Sequence, residues 1–192
     1  MPWPIDRPRR LRDHPVLREM VSETTIRAQD LIYPIFVVPG RRVKTPISSL
    51  PGQWHLSPDE AGLLALEFSR QGGRAMMLFG IPDGKDETGS SGADPNGPVA
   101  SSIKIIKDLV PDLAVITDVC LCEYTSHGHC GLIDGEKVLN DESLPHLAKQ
   151  ALGHAQAGAD MVAPSDMMDG RVRAIREELD RNGFTHLPIM AY

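Results

Sequence analysis

The stretch Leu113-Ala-Val-Ile-Thr-Asp118 is apolar and rich in β-branched residues, and it continues directly into Val119-Cys-Leu-Cys-Glu-Tyr-Thr-Ser-His-Gly-His-Cys-Gly131. The first part predicts a buried strand. Asp118 is therefore expected at the carboxyl end of that strand, and the cysteines are expected in the loop that follows. In parallel α/β proteins, ligands bind at this end of the strands.

The only cysteines of the chain are the three in this loop, Cys120, Cys122 and Cys130. Three thiols without a fourth match the ligand count of a zinc site that keeps one position open for water or substrate. A closed structural site needs four protein ligands and would recruit His127 or His129, an alternative that the spacing leaves open. The three-thiolate interpretation predicts a catalytic metal site, not a purely structural one.

Oxidised forms of these thiols are disfavoured. The cysteine count is odd, the Cys-Leu-Cys spacing is too tight for relaxed disulfide geometry, and no apolar signal segment opens the chain. A thioredoxin-type pair has two residues between its thiols, whereas only Leu121 separates Cys120 from Cys122. We therefore expect reduced thiols in a cytoplasmic protein.

The rest of the sequence alternates between strand and helix patterns. Strands are predicted over residues 31–38, 75–79, 113–118, 160–163 and 187–192, and helices over residues 57–71, 100–109, 143–157 and 171–181. Ser57 is expected to cap the first of these helices. The alternation predicts a parallel sheet. A closed eight-stranded barrel needs about 250 residues, so periodicity alone favours a five-stranded, open, doubly wound sheet.

Composition excludes some partners. With 192 residues, 41% of them hydrophobic and 24% charged, the chain is an ordinary globular domain. The net charge of -6 provides no attraction to nucleic acid or to an anionic membrane, and no apolar run reaches the roughly 20 residues that cross a bilayer. The exception is a basic cluster near the amino terminus, which is typical of an arm that contacts a partner: Arg7, Arg9, Arg10 and Arg12.

Five segments, taken in order, resemble the porphobilinogen synthase (5-aminolevulinate dehydratase) family in its cysteine-rich form. They correspond to the family's arm, first strand, second strand, zinc signature and fourth strand with its exit loop, and they are residues 7–12, 30–38, 76–82, 118–131 and 163–171. The resemblance implies a (β/α)8 barrel, of which residues 30–192 would form the first five strands. It also implies that residues 1–29 form an arm packed on a neighbouring subunit of a large homo-oligomer, often an octamer.

The resemblance further implies an activity, the condensation of two 5-aminolevulinate molecules to porphobilinogen with loss of two waters, an early step towards heme. Zinc on the three thiolates would polarise or position one substrate, and Asp118 would move protons if burial raises its pKa. Ser165 resembles the family's active-site serine, whereas Asp166 is expected to cap the next helix. His127 and His129 are expected to lie outside the ligand set.

Two expectations concern what this chain would lack. The resemblance places both Schiff-base lysines of the family beyond Tyr192, and the six lysines present fall in predicted loops or on predicted helices. The chain alone is then expected to be inactive, and any magnesium site would be formed by later residues. The alternative is a zinc-binding assembly or interaction module without turnover.

Overall fold

The computed structural model describes residues 6–192, so residues 1–5 of the predicted arm lie outside the described residues. The strands are β1 (Ile32–Val37), β2 (Lys44–Pro46), β3 (Trp54–Leu56), β4 (Ala75–Gly80), β5 (Ala114–Val119), β6 (Leu132–Asp134), β7 (Lys137–Leu139) and β8 (Met161–Pro164). The α-helices are α1 (Pro15–Met20), α2 (Pro58–Arg70), α3 (Pro98–Leu109), α4 (Asn140–Ala157) and α5 (Arg171–Arg181). Short 3-10 helices cover Pro8–Leu11, Ala28–Asp30 and Ser90–Ala93.

One six-stranded sheet organises the chain, in the order β2-β3-β1-β4-β5-β8. Every neighbouring pair from β3 to β8 is parallel, and only β2 is antiparallel to its neighbour. After α5 the chain returns to the edge of β8, where Ile189 forms a single parallel bridge with Val162. The predicted fifth strand is thus in its expected place, but it makes one bridge instead of a full ladder.

The two faces of this sheet are covered differently. The helix-covered face carries Ile35, Met76, Leu78 and Val115, which pack with buried residues of α2 and α3, and it continues into Val119 and Val162, which pack against α4 and α5. The open face has its own small apolar cluster, built on Met77, Ile116 and Ala163, to which no helix within residues 6–192 contributes. Because side chains alternate along a strand, consecutive residues point to opposite faces.

These observations decide between the two predicted folds. A doubly wound sheet carries helices on both faces and reverses its strand order at a switch point. Here the helices lie on one face, and β1, β4, β5 and β8 follow one another in chain order. The doubly wound alternative is therefore wrong, and the arrangement is that of successive strand-helix units of a barrel.

Close helix packing explains one glycine. A Cβ atom at Gly62 of α2 would lie 2.6 Å from Cγ2 of Ile105 on α3. Only a residue without a side chain allows the two helices to approach this closely. Ile103 and Ile106 of α3 are fully buried between α2 and the sheet.

Some local expectations were wrong. Ser57 precedes α2 but makes no capping hydrogen bond. Its hydroxyl instead accepts from the Val43 amide (2.9 Å) and donates to the Asp59 carboxylate (2.6 Å), so it ties the segment before β2 to the helix. The two-stranded ribbon β6-β7 and the short strands β2 and β3 were not predicted, because three-residue strands carry too little periodicity. Helix α1 was not predicted either.

The part of the predicted arm that the structure describes has no buried residue. Its large apolar side chains are exposed: Leu11, Val16, Leu17, Met20, Val21 and Ile26. The boundary between arm and barrel at residue 30 stays a prediction. No helix within residues 6–192 is both long enough and apolar enough to cross a membrane.

Candidate metal centre and active site

The three cysteines form one cluster at the carboxyl end of β5. Their Sγ atoms all lie within 4.8 Å of one another, and those of Cys120 and Cys122 are 3.3 Å apart. Tetrahedral zinc with bonds of about 2.3 Å holds its sulfurs about 3.8 Å apart. The donor type and the spacing therefore fit a single thiolate-bound ion.

Hydrogen bonds within the cluster show how the thiols are arranged. The Cys120 thiol donates to Cys122 Sγ, and the Cys122 thiol lies 3.2 Å from Oε2 of Glu123. The bond to Cys122, together with burial, raises the pKa of Cys120. The same bond lowers the pKa of Cys122, and burial opposes this shift. Burial raises the pKa of Cys130. Metal binding must displace these thiol protons.

Asp118 is the last open-face residue of β5 and is 5% exposed. It accepts a hydrogen bond from the Tyr192 hydroxyl (2.9 Å), and the hydroxyl of Ser165 lies beside it. Burial raises the pKa of Asp118 to about 6; the Ser165 hydrogen bond lowers it, and the nearby charge of Glu123 raises it. No backbone amide of the described residues donates to this carboxylate.

Ser165 and Asp166 directly follow β8. The Ser165 amide donates to the Val119 carbonyl (3.3 Å), which brings its side chain next to the end of β5. Asp166 is buried, accepts from the Met168 amide (2.8 Å) and lies 3.4 Å from Nε of Arg171. The expected helix cap is wrong, because Asp166 closes the turn before α5 while Gly170, with a φ of 81°, occupies the N-cap position.

The two loop histidines lie apart from the thiol cluster. Nε2 of His127 lies 3.2 Å from the Glu87 carbonyl, and Nδ1 of His127 accepts from the His129 amide. Neither imidazole belongs to the group of metal-competent atoms. The structure thus gives no support to a fourth histidine ligand.

Tyr192 is a site residue that the sequence reasoning missed. Its hydroxyl contacts both Asp118 and the sulfur of Met77 (3.5 Å), so it lies on the open face. The alternation of the last segment contained the signal, since Met190 joins the open-face cluster and Tyr192 follows two residues later.

A parallel sheet with helices on one face, and with thiols and a buried carboxylate at the carboxyl ends of its strands, defines an α/β barrel-type protein with a metal-competent site. The sequence model of the family described as delta-aminolevulinic acid dehydratase matches residues 5–192. The chain belongs to this family. Membership of the family, as the sequence resemblance implied, is thereby confirmed, whereas the cysteine-rich, zinc-binding form stays a prediction.

Individual relatives agree. A delta-aminolevulinic acid dehydratase of Ruminiclostridium josui is 53% identical over 188 residues, which are 98% of this chain and 92% of the relative. One from Methanothermus sociabilis is 54% identical over 192 residues, all of this chain and 60% of the relative. The solved structure of the Toxoplasma gondii ME49 enzyme, in complex with the reaction product porphobilinogen, has a TM-score of 0.93 at 41% identity.

The coverage of the longer relatives is partial. The alignment with the Toxoplasma gondii structure includes 97% of this chain but 54% of that chain. The chain thus spans roughly three fifths of the Methanothermus sociabilis relative and about half of the solved structure.

Proposed function

We propose that this chain provides the metal-binding part of an active site that condenses two 5-aminolevulinate molecules to porphobilinogen with loss of two waters. The observation that carries the proposal is the cluster of three thiols beside the buried Asp118, at the same end of the sheet. Membership of the family and the solved relative in complex with porphobilinogen support the reaction and its substrate.

Each residue of the site has a proposed role. Cys120, Cys122 and Cys130 hold the ion, and zinc is the metal that three clustered thiolates favour. When bound, zinc supplies Lewis acidity towards a substrate oxygen or nitrogen. Asp118, with its pKa raised to about 6, takes up and returns a proton near neutral pH.

Hydroxyl groups position that carboxylate. Tyr192 donates to Oδ1 of Asp118, and Ser165 lies against the same group. A carboxylate fixed by two hydroxyls keeps one orientation towards a bound substrate, which favours proton transfer. We therefore assign Ser165 and Tyr192 to holding Asp118 in place.

Lysine chemistry is not assigned to the six lysines present. Lys107, for example, binds Asp160 and the Leu113 carbonyl, at the amino ends of β5 and β8 and thus opposite the thiols. Lys104 binds the carbonyl of Pro95. The two Schiff-base lysines implied by the family resemblance, and a magnesium site outside this chain, stay predictions.

We also propose a homo-oligomer and a cytoplasmic location. The exposed apolar side chains of the arm support the first, because such a surface is usually covered by a partner. Three free thiols support the second, because the cytoplasm keeps thiols reduced.

The test compares two proteins, the 192-residue chain and the same chain extended by the remaining residues of the Methanothermus sociabilis relative. Both are incubated with 5-aminolevulinate, and porphobilinogen is measured by its colour reaction with dimethylaminobenzaldehyde. We expect the extended chain to form it and to lose activity when a chelator removes the metal, and we expect none from the 192-residue chain. A folded, zinc-loaded, extended chain without turnover would overturn the proposal in favour of a zinc-binding module.

A further inference from the structure

The loop between β4 and α3 is joined to the cysteine loop by its backbone. The Asp86 amide donates to the Tyr124 carbonyl (3.2 Å), and the Ser126 amide donates to the Asp86 carbonyl (2.8 Å). Asp86 and Thr125 thus form an isolated parallel bridge. This contact lies near the middle of the segment between Cys122 and Cys130.

The side chain of Asp86 makes its own loop rigid. Its carboxylate accepts from the Thr88 amide (2.9 Å), the Thr88 hydroxyl (3.1 Å), the Ser90 amide (3.0 Å) and the Ser90 hydroxyl. These bonds, led by the Ser90 hydroxyl, hold the pKa of Asp86 well below its usual range. The group therefore stays ionised at neutral pH and fixes the turn over residues 86–90.

The fixed turn contacts the cysteine loop at further points. The Glu87 carbonyl lies 3.2 Å from Nε2 of His127. Gly89, with a φ of 65°, approaches so closely that a Cβ there would lie 3.3 Å from Thr125 and 3.4 Å from Leu121. Any relaxation of the turn would therefore be transmitted to the cysteine loop.

Thr125 connects this contact to the thiols. It is fully buried, its amide donates to the Leu121 carbonyl (2.8 Å) and its hydroxyl donates to the His129 carbonyl (2.8 Å). Leu121 lies between the first two cysteines, and His129 precedes Cys130. Thr125 therefore ties the two ends of the loop to each other, across the sequence gap that separates the thiols.

We propose that Asp86 and Thr125 are positioning residues of the thiol cluster: Asp86 fixes the turn that supports Thr125, and Thr125 holds Cys130 near Cys120 and Cys122. The inference rests on the metal-binding part of the proposed function. A site whose ligands are already in place binds more tightly, because binding does not have to order the loop. Groups that orient metal ligands typically contribute 10- to 100-fold in metal affinity.

The test uses metal binding by the 192-residue chain. Asp86→Ala and Thr125→Val are compared with wild type by titration of Zn²⁺ against a chromophoric chelator, and by the thiolate-to-metal charge-transfer band of added Co²⁺. We expect each variant to bind Zn²⁺ at least about 10-fold more weakly and to show a weaker band per bound Co²⁺. The double variant should lose less than the product of the two single losses, because the residues act in series.

Matched controls remove similar groups without these contacts. Asp83→Ala removes an exposed carboxylate from the same loop, and Thr125→Ser keeps the hydroxyl, so both should stay within about two-fold of wild type. Asp86→Asn keeps an acceptor for the backbone amides and should be intermediate. Circular dichroism identifies any variant that fails to fold.

The test distinguishes failure of this inference from failure of the proposed metal binding. Folded Asp86→Ala, Asp86→Asn and Thr125→Val chains with wild-type affinity and band intensity would overturn the inference. If the wild-type chain bound neither ion, the metal-binding part of the proposed function itself would fail.

Discussion

The two faces of the sheet carry different kinds of side chain, and the six residues of β5 show the difference. Val115 and Val119 point to the helix-covered face and pack with side chains from the helices. Ile116 and Asp118 point to the open face, where the last of them is a buried carboxylate next to the thiols. One strand therefore supplies packing on one side and the carboxylate of the proposed active site on the other.

The difference teaches where such a protein can place ionisable groups. A carboxylate among the side chains of the helix-covered face would be buried without partners and would destabilise the fold. On the open face, at the strand ends, Asp118 is buried but has hydroxyl partners and a raised pKa. Substitutions on the two faces should therefore separate chemistry from stability.

The largest expected effect comes from the open face. Asp118→Asn should lower porphobilinogen formation by the extended chain by about 100- to 10,000-fold, because the amide cannot carry a proton. Zinc content should not change, since Asp118 is outside the thiol cluster. The measurements are the initial rate and the metal content of the same sample.

Thr117→Val is the matched control, because it changes the preceding residue, which is buried on the opposite face. It should leave the rate within a few-fold of wild type. An Asp118→Asn enzyme that retained its rate would contradict the proposed proton transfer.

Removing a thiol should have the next largest effect, and this effect should be on metal binding. Cys130→Ala and Cys122→Ala should each weaken zinc binding by more than about 100-fold, since a direct ligand contributes more than the groups that orient it. Affinity for the wild-type cluster should also fall at acid pH, because thiolates must lose protons to bind. Elemental analysis after dialysis against a weak chelator measures both.

His129→Ala serves as the control, and together with His127→Ala it tests the four-ligand alternative. Both histidine variants should have the same zinc content as wild type. Equal zinc in wild type and both cysteine variants would show that the ligand assignment is wrong.

On the helix-covered face the effect should be on stability alone. Ile103→Ala leaves a cavity between α2, α3 and the sheet, and it should lower the free energy of unfolding by about 2–5 kcal/mol. Leu63→Ala, on the exposed side of α2 at 57% exposure, should change it by less than about 0.5 kcal/mol. Urea unfolding measures the free energy of unfolding of both variants. A folded Ile103→Ala chain that bound less zinc than wild type would contradict the prediction that this face affects stability alone.

The sequence predicted the helix-covered side of the fold well. Helix α5 was predicted with its observed bounds, and β1, β4, β5 and β8 within one residue at each end, because long runs of buried apolar residues carry a strong period. The family resemblance, and not periodicity, selected the barrel, since the clustering of α2, α3, α4 and α5 on one face appears only in three dimensions.

The open face was harder to predict in detail. The sequence identified Cys120, Cys122, Cys130, Asp118 and Ser165 as candidates, and the structure brings the thiols together and Ser165 next to Asp118. Their chemical roles stay predictions. Tyr192 and Asp86 were missed because both act through hydrogen bonds to residues far away or in another loop, which spacing does not reveal.

The prediction with the smallest effect at neutral pH tests whether an ionisable group on the helix-covered face destabilises the fold when it becomes charged. His154 of α4 is fully buried, and neither ring nitrogen has a partner with good hydrogen-bond geometry among the described residues. Burial lowers the pKa of His154 to about 4, and the backbone of Gly92 offsets only part of this. In the unfolded chain a histidine titrates near 6.5.

Protonation of the His154 imidazole is therefore less favourable in the folded chain than in the unfolded chain. The stability of the fold should be highest above about pH 6.5, fall as the pH decreases towards 4, and level off below that, with a total loss of about 3 kcal/mol from this residue. In urea unfolding of the metal-free chain, the pH dependence of His154→Gln should be flatter than that of wild type by this amount. His186→Gln, at an exposed position, should follow the wild-type curve. Parallel curves of unfolding free energy against pH for wild type and His154→Gln between pH 6.5 and 4 would contradict this prediction. They would mean that the imidazole has a hydrogen-bond acceptor or a water molecule in the core, and that charging it on the helix-covered face does not destabilise the fold.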